Sequence, residues 1–123
     1  MSGLNLFFST PIWISTINNY KETNEDLYLY LKNLQKEDKV GLSKSNVRGW
    51  HSKDFDLNNQ SVKNFINIIS PRINEVLNDM DWDIKKQSVK ITNMWAIINI
   101  GGASNSRHHH GNNDISAAYY VRA

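Results

Sequence analysis

Cysteine is absent from the 123 residues. Disulfides, thiolate zinc centres and cysteine nucleophiles are thereby excluded. A reducing cytosol fits this, and a cytoplasmic location is expected. Proline occurs only twice and glycine six times. No linker, internal repeat or low-complexity tract divides the chain, so it reads as one domain over 1–123. Long apolar runs are missing too. No window approaches the roughly 20 residues of a membrane span. The start, "MSGLNLFFSTPIW", lacks the basic region and apolar stretch of a secretory signal. Charge of one sign is not concentrated. The net charge is +2, and 14 basic residues are interspersed with 12 acidic ones. No basic stripe marks a nucleic-acid surface. Neither a phosphate-cradling glycine loop nor a G-x-S-x-G elbow occurs.

What is present suits a folded core, with 40% apolar residues and 21% charged. "LFFSTPIWISTI" reads as a strand broken by Pro11, because β-branched and aromatic residues dominate. "TNED" then starts a helix, with Thr23 as cap and Asp26 three positions on. Leu27, Leu31 and Leu34 form its apolar stripe, which predicts a helix over about 24–38 that stops near Gly41. A loop follows, with a short extended piece around Gly49 and Trp50. Val62, Phe65, Ile66, Ile69, Ile73, Val76 and Leu77 predict a second helix. Pro71 either kinks it or starts a new segment capped by Ser70. "DMDWD" ends it in a solvated turn.

The period then changes to two. In "SVKITNMWAIINIGG", Val89, Ile91, Asn93, Trp95, Ile97 and Asn99 share one face. Both faces become apolar from Met94, which predicts a strand buried on both sides. Gly101 and Gly102 turn the chain, and a last strand is expected over about 115–121.

Between them lies "NSRHHHGNND", which holds three of the four histidines. In extended backbone His108 and His110 point to the same side and His109 to the other. H-x-H spacing of this kind offers two nitrogen ligands to Fe, Zn, Mn, Cu or Ni. Asp114 could add a hard oxygen ligand. Two histidines and one carboxylate compose the facial triad of non-haem Fe(II) enzymes. The competing reading is a polar turn that happens to contain histidine. Asn93, Trp95 and Asn99 would line a pocket beside this loop, or the asparagines would bond to nearby backbone. "SNVRGWHS" gathers Asn46, Arg48, Trp50, His51 and Ser52 in one loop. It could cover a substrate pocket, or Trp50 could serve as the packing anchor of a long loop.

Three blocks together resemble a known family, the 2-oxoglutarate/Fe(II) oxygenases found in marine bacteria and their phages. "LFFSTPIW" is similar to that family's opening Leu-Phe-x-Thr-Pro-Ile-Trp. "SNVRGWHS" is similar to its Ser-Asn-x-x-Gly-Trp-His-Ser. "MWAIINIGGASNSRHHHGNNDISAAYYV" resembles its Trp, Asn, Gly, Asn-x-x-His-x-His and Ser-Gly-x-Tyr-Tyr series. The resemblance implies an α+β fold: a double-stranded β-helix, or jelly roll, with two N-terminal helices packed outside. It implies Fe(II) and 2-oxoglutarate as cofactor and co-substrate, and oxidative decarboxylation coupled to hydroxylation of a small molecule or a protein side chain. His108 would be the first ligand, and His110 stands where the carboxylate usually is. The distal histidine and 2-oxoglutarate-binding arginine of the family lie further downstream. The expectation is therefore an N-terminal portion with an incomplete barrel, inactive alone, whose open strand edges can pair with another chain.

Two alternatives share the chain. Gly102, His108 and His110 also match the first cupin motif, with Asp114 where glutamate belongs and without its final glycine. A cupin-like enzyme would use His108, His110 and Asp114 together. The third reading is a non-catalytic fragment or assembly module.

Overall fold

The structure is a computed structural model describing residues 9–83, 85–86 and 88–123. Two helices carry most of the core. Helix α1 spans Tyr20–Glu37 and α2 spans Gln60–Asp79. Helix α1 starts earlier than the capping pattern suggests. Thr23 lies inside the first turn, is buried, and donates its hydroxyl to the Asn19 carbonyl at 3.2 Å. A threonine hydroxyl can bond back to a carbonyl four residues earlier, so the motif does not mark the end. Leu27 is buried, and Leu31 and Leu34 are half-buried. The helix ends where Asp38 N–H bonds the Leu34 carbonyl and Gly41 takes a φ of 66°.

Helix α2 is capped by Asn59, whose side chain accepts from the Ser61 and Val62 amides at 3.0 and 3.4 Å. Val62, Phe65 and Leu77 are buried, as the spacing predicts. Pro71 starts no new segment, and α2 continues through it. Ser70 is not a cap; its hydroxyl donates to the Ile66 carbonyl at 2.6 Å. Ser61 of α2 donates to Asp26 of α1 at 2.9 Å, which ties the helix pair together. Beyond α2 the chain turns through Asp81, at a φ of 56°.

Four short strands form two antiparallel pairs. β1 (Asn46–Val47) pairs with β4 (Ser104–Asn105), and β2 (Trp50–His51) pairs with β3 (Ile97–Ile98). Backbone bonds extend both pairs. Ser52 N–H reaches the Ala96 carbonyl at 3.0 Å, Phe55 N–H the Met94 carbonyl at 2.7 Å, and Ser106 N–H the Ser45 carbonyl at 2.8 Å. Residues 45–55 thus run antiparallel to 94–106. The extra residues on the second side are taken up by a turn, closed by Ala103 N–H on the Ile100 carbonyl at 2.9 Å. Gly102 occupies that turn at a φ of 77°.

The strand expectations need three corrections. Of the long strand predicted over 89–100, only Ile97–Ile98 joins a ladder. It is not buried on both faces: Ala96 is buried, but Ile97 and Ile100 are 38% and 64% exposed. Its other side meets no strand among the described residues. Residues 115–121 form no strand either. They lie against α1, where Asn24 Nδ2 donates to the Val121 carbonyl at 2.7 Å and the Tyr119 hydroxyl donates to Asn24 Oδ1 at 2.6 Å. Tyr119 also packs on Phe65, and the Arg122 guanidinium sits 3.5 Å from the centre of the Tyr28 ring. The first predicted strand falls partly on residues 1–8, outside the described residues. Residues 9–17 form no strand, and Trp13 donates its indole N–H to Asp79 at 2.9 Å. The architecture is mixed helix and strand, with small antiparallel sheets and no closed barrel among the described residues. No described helix is long and apolar enough to cross a membrane.

Candidate functional site

The histidine loop leaves β4 at Asn105 and is exposed throughout. Ser106 holds its beginning. Its amide and hydroxyl both donate to the Ser45 carbonyl, at 2.8 and 3.1 Å. From there the extended backbone places His108 and His110 on one side, as the alternation predicts. Their Nε2 atoms are 3.2 Å apart, and their rings meet edge to face with centroids at 4.8 Å. His109 lies beside Gly111, where an added Cβ would stand 3.6 Å from the His109 Nδ1.

The protonation pattern of His108 follows from its partner. Its Nδ1 is 2.8 Å from the Ser106 carbonyl, which can only accept. Nδ1 therefore carries the proton, and in the neutral ring Nε2 presents a lone pair toward His110. A backbone carbonyl holding the remote nitrogen is the usual support of a metal-ligating imidazole.

The 3.2 Å separation carries chemical information. Two nitrogens, each about 2.1 Å from one ion, stand about 3.0 Å apart at a right angle and about 3.4 Å apart at a tetrahedral angle. The observed spacing lies between these values. It is also the length of a hydrogen bond, which His110 Nε2–H donates to the His108 Nε2 lone pair. Asp114 does not join them. Among the described residues no group of three His, Cys, Asp or Glu side chains is placed to hold an ion.

Trp95 packs against the pair. Its ring centre is 5.5 Å from that of His110, with planes inclined at 36°. Trp95 also stacks on His51 at 5.8 Å, with planes within 10° of parallel. His51 is buried in β2, and its Nδ1 donates to the Ser52 carbonyl at 2.6 Å. One aromatic column thus runs from the sheet into the loop. The alternation pattern puts Trp95 on a face with Asn93 and Asn99. It does not reveal that His51, 44 positions earlier, stacks on it.

The other predicted site residues are placed differently. Asn93 and Asn99 are exposed and line no described pocket. Asn93 donates to Asp54 at 2.8 Å and Asn99 to Asn105 at 3.2 Å, so neighbouring side chains rather than backbone satisfy them. Trp50 is an anchor: it is 7% exposed, and its indole N–H donates to the Asp38 carbonyl at 2.7 Å. Arg48 adopts a φ of 63° on the surface and lies across the Gly102 turn. Two shallow surface depressions occur elsewhere, one along Lys32, Lys36 and Lys39, the other between Tyr20, Asn24 and Tyr119. None of the predicted site residues lines either. Compared with protein-family models, with curated proteins and with solved structures, the chain finds no match.

Proposed function

We propose that this chain contributes two ligands, His108 and His110, to the metal centre of a 2-oxoglutarate- and Fe(II)-dependent oxygenase. One observation carries the reading: two imidazole nitrogens face each other 3.2 Å apart, and the nearer ring is fixed in the ligating tautomer by Ser106. The chemistry an iron ion supplies in such a centre is oxidation by O₂ at coordination positions the protein leaves open.

The fit is partial. The imidazole pair suits a transition metal. For 2-oxoglutarate, the described residues assemble neither a pocket beside the pair nor a cation aimed into one. What the chain's own residues do is more limited. His108 and His110 present two nitrogens, Ser106 orients the first ring, and Trp95 backs the second.

Under this proposal the two small sheets are the beginning of a jelly roll, with α1 and α2 outside it. The segment before β3 bonds to residues 52–55 on one side, and its other side meets no strand among the described residues. Strand pairing by another polypeptide segment would satisfy it. The hydroxylated substrate would be a small molecule or a protein side chain.

The cupin-like alternative needs Asp114 beside the two histidines, and no such group of three forms among the described residues. Anaerobic Fe(II) titration separates the readings. The oxygenase reading predicts binding that depends on His108 and His110 and tightens when 2-oxoglutarate is added, because the acid would chelate the same ion. Asp114→Asn should leave it unchanged. Iron binding that is indifferent to 2-oxoglutarate but lost in Asp114→Asn would establish the cupin-like site instead.

A further inference from the structure

We infer that Trp95 and the buried His51 are positioning residues, which fix the His110 ring in its metal-binding orientation. The inference rests on the proposed ligand role of His110. Three facts lead to it. First, His110 sits on an exposed loop, where a side chain normally samples several rotamers. Second, His108 is oriented by a hydrogen bond to the Ser106 carbonyl, whereas the His110 ring is held between His108, with 3.2 Å between their Nε2 atoms, and the Trp95 face, with 5.5 Å between ring centres. Third, Trp95 is itself braced. Its indole lies against His51 at 5.8 Å in nearly parallel planes.

His51 is well suited to act as the base of this column. It is 7% exposed, pairs with Ile97 across the ladder, and donates Nδ1–H to the Ser52 carbonyl at 2.6 Å. Its ring cannot turn without breaking that bond. The packed sheet therefore determines where His51 stands, His51 limits the tilt of Trp95, and Trp95 limits the rotation of His110. Aromatic faces impose such limits because offset-stacked and tilted contacts are preferred over other arrangements. A ligand held in place loses less freedom on binding, so the affinity of the pair depends on residues that never touch the ion.

The test titrates Ni²⁺ into wild type, Trp95→Leu and Trp95→Phe, following both affinity and indole fluorescence. Trp95→Leu removes the aromatic face and should weaken binding about tenfold, as loss of an outer support does. Trp95→Phe keeps a ring and should retain most of the affinity. Bound Ni²⁺ should quench wild-type fluorescence, and that quenching should be largely lost in Trp95→Phe although Trp13, Trp50 and Trp82 remain. Should Trp95→Leu fail to fold by circular dichroism, the fluorescence of Trp95→Phe still decides the matter. Equal Ni²⁺ affinity in a folded Trp95→Leu, or quenching that persists in Trp95→Phe, overturns the positioning role while leaving the ligand pair intact. A wild type that binds no Ni²⁺ overturns the metal reading itself, and this inference with it.

Discussion

Ser52 and Ala96 exchange two hydrogen bonds: the Ser52 amide donates to the Ala96 carbonyl at 3.0 Å, and the Ala96 amide donates to Ser52 Oγ at 2.9 Å. Ser52 is 2% exposed and Ala96 is 8% exposed. The side chain thus replaces a ladder acceptor just past the last paired residues of β2 and β3. It joins the strand carrying His51 to the segment carrying Trp95.

Ser52→Ala should therefore destabilise the fold by about 1–3 kcal/mol, since it leaves the Ala96 amide buried without an acceptor. The urea midpoint should fall while the slope of the transition stays the same. An unchanged midpoint would mean that water or a shifted backbone satisfies the amide.

Gly41 should tolerate no side chain. Its φ is 66°, and a Cβ there would stand 2.5 Å from the His51 carbonyl oxygen and 2.8 Å from the Trp50 ring. Gly41→Ala should cost about 1–3 kcal/mol. Gly101 faces open space, and Gly101→Ala should change stability by less than about 0.5 kcal/mol. Urea midpoints of the two variants, measured side by side, test the contrast.

Acid should weaken the end of α1. The Gly41 amide, and after it Lys53, hold the Asp38 carboxyl below its ordinary value of 3.8. The amide bond is 3.0 Å and the ion pair 3.3 Å. A carboxyl depressed in the folded state stabilises it above the unfolded value, and the effect fades as pH falls through the folded one. Asp38→Asn should be less stable than wild type at about pH 6, and the gap should narrow as the pH drops below about 4. Both midpoints followed across that range give the answer. A constant gap would place the effect outside the carboxylate.

The helices were legible because burying one face imposes a period near four. Leu27, Val62, Phe65 and Leu77 show it in the sequence and occupy the core. Helix boundaries were less so, since Thr23 satisfies its hydroxyl inside the helix as readily as a cap would. The strands were harder for a different reason. Residues 89–100 alternate as a strand does, yet a strand exists only where a neighbour accepts its bonds. The neighbour of Ile97 and Ile98 is Trp50 and His51, far earlier in the chain. Residues 115–121 find side chains of α1 instead.

At the candidate site, alternation alone predicted that His108 and His110 would share a side. The tautomer of His108 depends on the Ser106 carbonyl, which any residue at that position would supply. The Trp95–His51 contact depends on the β2–β3 register. Neither leaves a mark in residue types. Asp114 illustrates the converse. Its residue type and spacing suit a ligand, but no group of three ligands forms around it among the described residues.

A metal held by this chain would sit at the imidazole pair separated by 3.2 Å. The direct measurement is a Zn²⁺ titration of the chain with ¹⁵N-labelled histidine, followed through the four imidazole rings. His108 and His110 should shift together through their Nε2 atoms and saturate at one ion per chain. His51 and His109 should show no Nε2 coordination, and His108→Ala should abolish the response of His110. Rings that do not respond to Zn²⁺, or a response centred on His109, would contradict it.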